Sequence, residues 1–214
     1  IIAAGIAAGE GRAPTVRAAV FTRKRTMLGG EALVRASAHD LGPQLSGPPR
    51  RVLVDAHGES VVVLTEAGRV HYFYWINDAF EHRQAFEPHD GPLASLDHVY
   101  GCVTLIATSA DGQVSLHALH RKPGSDVRQF GQVARFDEPL PGGAVAATIS
   151  VRNKSVALAG ADRLSLRYAT TASVRWEEEV PYRPRLLALT AKGDGLAVLG
   201  DDGRLHRYNV SDPH

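Results

Sequence analysis

Histidine is the residue type through which this sequence could most readily do chemistry. There are ten, and imidazole both titrates near neutral pH and ligates metals. His117 and His120 stand three apart, but on a strand that spacing sends them to opposite faces, so they cannot share a metal ion. His71 and His206 each stand three residues after a turn glycine, Gly68 and Gly203. Their recurrence at one place in a repeat implies a polar, outward-facing position on an inner strand. If the repeats close into a ring, that position would line its channel and could meet a ligand. No His-Glu-x-x-His pattern is present, so the usual zinc-protease arrangement is absent.

Nucleophiles are no better supported. There is no Gly-x-Ser-x-Gly elbow, and the single cysteine, Cys102, sits in an apolar Gly101-Cys102-Val103 context where a buried thiol is inert. The carboxylate runs Asp137-Glu138 and Glu177-Glu178-Glu179 fall in loop-like segments and read as solvated charge. Gly5, Gly9 and Gly11 match neither a dinucleotide nor a P-loop pattern. Trp75 and Trp176 occupy unrelated repeat positions, unlike the regular tryptophans of quinoprotein propellers. No catalytic residue, cofactor or metal is expected. Arg23-Lys24-Arg25 is the densest basic run; it reads as a solvated loop end and, with His71 and His206, as a candidate interaction point.

The elements that must position these residues belong to a chain with 24 Lys+Arg against 23 Asp+Glu, a net charge of +1. That balance argues against a nucleic-acid partner, since such modules carry a basic excess. Residues 1–50 are net basic and the remainder net acidic. One cysteine excludes an intrachain disulfide and any cysteine-cluster metal site. No apolar run approaches the roughly 20 residues of a membrane helix, so the expectation for this stretch is a soluble one. At 44% hydrophobic and 22% charged, the 214 residues can bury roughly 70% of their unfolded surface in one or two domains. Twenty Arg against four Lys, with abundant Ala and Gly, is a bias of GC-rich bacterial genomes. The Ile1-Ile2 start and the Asp212-Pro213-His214 end suggest a piece of a longer protein.

Four stretches share one grammar: apolar strand, break, apolar strand, tight turn, alternating strand. Their turn anchors, Gly68, Gly112, Asp162 and Gly203, lie 44, 50 and 41 residues apart. A period in the forties with about four strands per unit is the signature of β-propeller blades. Asp111-Gly112 and Asp202-Gly203 suit two-residue hairpin turns with positive φ. Two residues after each anchor stands an aliphatic, Val70, Val114, Leu164 or Leu205, which period-two alternation should aim between stacked blades. The expected fold is all-β, a propeller of about five blades or part of a larger one. Residues 1–50 would supply a partial blade of two strands, Ile1–Ala7 and Val16–Lys24, and a Pro/Gly-rich connector. Four blades would follow at about 51–92, 93–142, 143–184 and 185–214. The stretches 77–92, 121–141 and 171–184 have room for an outer strand plus a loop, with Trp176 and Tyr182 capping apolar edges.

The segment His89-Asp90-Gly91-Pro92-Leu93-Ala94-Ser95-Leu96, followed by Ser109-Ala110-Asp111-Gly112-Gln113-Val114, resembles the Gly-His and Asp-Gly-x-Val elements of WD40 repeats. The Trp-Asp pair that closes a WD40 unit is missing from all four. The segment Gly195-Leu196-Ala197-Val198-Leu199-Gly200-Asp201-Asp202-Gly203-Arg204-Leu205, running into Tyr208-Asn209-Val210-Ser211-Asp212-Pro213-His214, is similar to the large gammaproteobacterial form of the phosphate ABC-transporter permease, the PstC type. That form carries a propeller-like insertion between its first membrane helix and its permease core.

This second resemblance implies a non-catalytic interaction or regulatory domain on the periplasmic face of the bacterial inner membrane, part of a longer membrane protein. Its implied partners are the other phosphate-transporter subunits or the phosphate-binding protein. One alternative is a free-standing WD40-like protein-interaction scaffold; another is a propeller enzyme working in the central channel. Unpaired strand edges of an incomplete ring would favour self-association.

Overall fold

The computed structural model describes residues 1–9, 11–27, 29–55, 57–98, 104–136, 140, 146–149 and 155–211. The expectations for Cys102, Asp137-Glu138 and Asp212-Pro213-His214 lie outside the described residues. The chain divides into two compact units, Ile1–Glu87 with Arg121–Gln129, and Pro88–His120 with Phe130–His214.

In unit 1, β1 (Ile2–Gly9), β2 (Arg12–Arg25) and β3 (Glu31–Asp40) form a three-stranded sheet. The segments β4 (Pro49–Val54), β5 (Ser60–Thr65), β6 (Val70–Ile76) and β7 (Ala79–Phe86) form a four-stranded one. Consecutive strands pair antiparallel throughout. The opening region thus has three strands where the sequence suggested two. Arg23-Lys24-Arg25 is the exposed end of β2, paired with Glu31–Leu33, and not a loop end. Ile2, Val16, Ala18 and Val20 pack with Val61, Val63, Phe73 and Phe80 in one apolar core. Burying a side chain such as Phe73 contributes about 1.5–3 kcal/mol. Trp75 closes the edge of this core, 4.8 Å from Phe80 and 5.1 Å from His39 between ring centroids.

Unit 2 holds three further meanders. The first is β8 (Leu93–His98), β9 (Thr104–Ser109), β10 (Val114–Arg121) and β11 (Arg128–Arg135). The second is β12 (Ala146–Ile149), β13 (Ser155–Ala159), β14 (Arg163–Tyr168) and β15 (Val174–Glu179). The third, β16 (Pro184–Leu189), β17 (Gly195–Gly200) and β18 (Leu205–Asn209), has three strands. Strand β13 serves two cores: Val156 and Leu158 pack with Ile106, Val114 and Leu116, while Ala157 and Ala159 pack with Leu196 and Val198. A strand covered on both faces must read as a continuous apolar run, which is what residues 156–159 do. Glu177-Glu178-Glu179 stands on the edge strand β15 and not in a loop. There Arg163 reaches Glu177 at 3.6 Å and Glu179 at 2.9 Å.

The repeat is visible in the turns. The amide of Thr65 donates to Arg69, that of Ser109 to Gln113 and that of Gly200 to Arg204. Each closes a three-residue loop whose last member is the glycine, at φ +88°, +94° and +75°. The expected two-residue turns at Gly112 and Gly203 are therefore one residue longer, a common alternative with glycine in the left-handed position. The turn at Ala161-Asp162 is the two-residue one, closed by Gly160 and Arg163. Gly112 is further constrained, because a Cβ there would lie 2.6 Å from the Leu140 carbonyl oxygen.

A bulge recurs as well. The first strand of three sheets carries one surplus residue, between Pro49 and Arg51, Leu93 and Ser95, and Pro184 and Leu186. In each case the residue before the strand accepts from the turn: Glu66 donates to Pro48, Ala110 to Pro92, and Asp201 to Arg183. The aliphatics after the turns behave as alternation requires at Val70, Val114 and Leu164, all fully buried. Leu205 is 68% exposed. Its strand, β18, is the edge of its sheet.

Candidate functional site

The third strand of a repeat begins with a polar tie to the loop that precedes the sheet. In unit 1 the amide of Ser46 donates to Nε2 of His71 at 3.3 Å, and its Oγ lies 2.9 Å from the same nitrogen. An amide can only donate, so Nε2 is the acceptor and the imidazole proton resides on Nδ1, 3.0 Å from Nε2 of His82. His71 is 2% exposed, which corrects the expected solvated face. The fourth strand, β7, covers it and supplies His82. Burial, with the nearby His82 and Arg69 charges, pushes the His71 pKa down to about 4.

Unit 2 repeats the tie with different residues. His89 Nε2 lies 3.0 Å from Ser115 Oγ, which lies 2.8 Å from His117 Nε2. Burial, then the His89 charge, lowers His117 to about 4. In the β16–β18 sheet Tyr182 stacks on His206 with centroids 3.8 Å apart, and His206 Nε2 lies 3.1 Å from Asp202 Oδ2. Ser46, His89 and Tyr182 stand 25, 26 and 24 residues before their partners. These ties close the β4–β7, β8–β11 and β16–β18 sheets onto their own entry loops and leave His71 and His117 buried as neutral bases.

A different site lies at the outer strands of unit 1, where the tip of the β10–β11 hairpin, Arg121–Gln129, belongs to that unit. The site is a cleft of about 470 Å³. Strands β6 and β7 contribute Tyr72, Tyr74, Ile76 and Arg83; the hairpin tip contributes Arg121, Asp126, Val127 and Arg128. Arg83 pairs with Glu81 at 2.7 Å and stands over the Tyr74 ring, 5.9 Å from its centroid. Its Nε is buried with no hydrogen bond. Arg121 meets Asp126 at 3.6 Å, and both side chains are mostly exposed. Arg128 is exposed and has no ion pair among the described residues. Burial pushes the Tyr72 phenol up to about 12.

The sequence-based candidates do not assemble here. Arg23, Lys24 and Arg25 are exposed on β2, with Arg23 3.6 Å from Glu31. His71 belongs to unit 1 and His206 to unit 2. Gly68, Gly112, Asp162 and Gly203 do occupy the turns. Among the described residues no group of three His, Cys, Asp or Glu could hold a metal ion. Sequence reasoning missed the cleft because no local pattern joins 72–83 to 121–128. The alternation of Tyr72 and Tyr74 along one strand, with Arg83 on the next, was the signal the sequence offered.

The sequence matches no protein-family model and no curated protein. The structure is similar to the β-propeller domain of Cps50 (Swd1) from Myceliophteria thermophila, with TM-score 0.65 and 15% identity over 92% of this chain. It is also similar to Sqt1 of Chaetomium thermophilum, with TM-score 0.66 and 14% identity over 92% of this chain. The chain spans 66% and 53% of those two structures. The fold is an all-β propeller type with WD40-like antiparallel blades. The similarity to phosphate permeases receives no support from these comparisons.

Proposed function

We propose that this chain is a non-catalytic protein-interaction scaffold. The observation that carries the reading is the propeller likeness over 92% of the chain. Its buried histidines support it: His71, His89 and His117 are spent on ties within their own sheets. A docking or regulatory role beside phosphate-transporter subunits, at the periplasmic face of the inner membrane, is a narrower form of the same proposal. It rests on the sequence resemblance at residues 195–214. The test is selection of peptides from a random display library on the immobilised chain, followed by affinity measurement in solution. A shared motif binding with a Kd of about 1–100 μM is expected. Enrichment of no motif, or turnover in a broad hydrolase and lyase screen, overturns the reading.

Self-association is a second reading, favoured by the row Leu186, Leu199 and Leu205. These pair across the last sheet, with the outer two 61% and 68% exposed. An apolar edge of this kind can pair with its own copy about a two-fold axis. Light scattering at rising concentration should show a dimer; a constant monomer mass excludes it.

A further inference from the structure

We propose that the cleft of unit 1 binds a short peptide segment carrying a carboxylate side chain beside an aliphatic one. The proposal rests on the interaction-scaffold reading and names the chemistry of its partner. Three guanidinium groups line the cleft, but among the described residues only Glu81 and Asp126 answer them, on Arg83 and Arg121. Arg128 is left over. An incoming carboxylate supplies the missing counter-charge to the exposed Arg128, in the fork geometry that guanidinium favours.

The rest of the wall fixes the remainder of the ligand. Ile76 and Val127 supply the apolar part of the wall. The volume of about 470 Å³ lies within the range of small-ligand and peptide pockets. It holds a few side chains. A nucleobase is disfavoured because the face of Tyr74 is occupied by Arg83 and Tyr72 is 1% exposed. A polyphosphate is disfavoured because Glu81 and Asp126 already answer Arg83 and Arg121, leaving one cation over. One carboxylate fits the single uncompensated cation.

The experiment is fluorescence anisotropy of the 214-residue chain with labelled pentapeptides centred on Glu-Leu, Gln-Leu, Lys-Leu and phosphoserine-Leu. The Glu-Leu peptide should bind at least about tenfold tighter than the Gln-Leu and Lys-Leu peptides, an advantage that shrinks with added salt. Arg128→Gln and Arg83→Gln should each weaken it about tenfold. Because Arg128 is exposed, Arg128→Gln should keep the parent thermal midpoint, so the test survives if Arg83→Gln misfolds. Equal binding of Glu-Leu and Gln-Leu, preference for phosphoserine, or an Arg128→Gln variant that binds normally would overturn the proposal. Display-library motifs that lack acidic residues would sink the cleft assignment but leave the scaffold reading standing. Enrichment of no motif would remove both.

Discussion

His71 and His206 hold the same place in their repeats, and the two sheets treat them in opposite ways. His71 is enclosed by Ser46 and by His82 of the fourth strand and is held neutral. His206 belongs to a sheet with three strands, half-buried against Tyr182 and paired with Asp202. There the backbone amide of Arg204, and then His206, hold the Asp202 carboxyl below its ordinary range. The repeat therefore fixes where a side chain leaves the backbone. Its environment comes from the strand alongside. One residue type at one repeat position can be an interior hydrogen-bond relay or a partner of a surface carboxylate.

The largest expected effect separates two turn glycines of the same comparison. Gly112→Ala must adopt φ +94° and meet the Leu140 carbonyl, and should cost about 3 kcal/mol. Gly203→Ala has φ +75° with nothing within 4 Å of the new Cβ, so only the left-handed penalty of about 1–2 kcal/mol remains. Urea unfolding of both variants checks this, and equal losses would show that the Leu140 approach is immaterial.

The histidines come next. His71→Ala removes a buried ring with its bonds to the exposed Ser46 and His82 and should cost about 2 kcal/mol. His206→Ala removes a solvated pair and should cost less than about 1 kcal/mol. Comparable midpoint shifts would erase the distinction.

A third prediction follows from protonation. His71 and His117 have folded pKa values of about 4, against about 6.5 in an unfolded chain. Between those values the unfolded state binds protons that the folded state refuses, so stability is full above pH about 6.5 and declines as pH falls toward about 4. Urea midpoints across this range should fall with acid. His71→Gln should flatten the decline, and an unchanged slope would mean that His71 does not stay neutral.

The smallest effect belongs to the exposed edge. Leu205→Ser should change stability by no more than about 0.5 kcal/mol while weakening any self-association seen by light scattering. A large loss of stability would mean that Leu205 is covered after all.

Much of the fold was legible in the sequence because alternation and turn chemistry are local. Val70, Val114 and Leu164 were placed correctly by counting from a turn residue, and the outer strands β7, β11 and β15 fall in the stretches with room for them. Strand β3 was not legible. Glu31–Asp40 mixes Ala, Arg, Ser and His without a clean apolar face, and only pairing with β2 makes it a strand. A bulge between Val20 and Phe21 further breaks the alternation that would have announced it. Leu205 was misjudged because alternation identifies a face without showing whether anything covers it. His71 was misjudged for the converse reason: its cover, His82, arrives eleven residues later across a hairpin. The Arg83–Arg128 cleft depends on segments about forty residues apart in sequence and has no local signature.

The recurring bulge on β4, β8 and β16 gives the molecule a length reserve. A strand with one residue more than its partner can straighten to take up about 3.3 Å without shifting the paired residues beyond it. Loss of one residue at Arg50, Ala94 or Arg185 can thus be absorbed where it occurs. The same loss a few positions further along would turn every following side chain to the opposite face of the sheet. Each entry strand tolerates a change of chain length at its first step and at no later one.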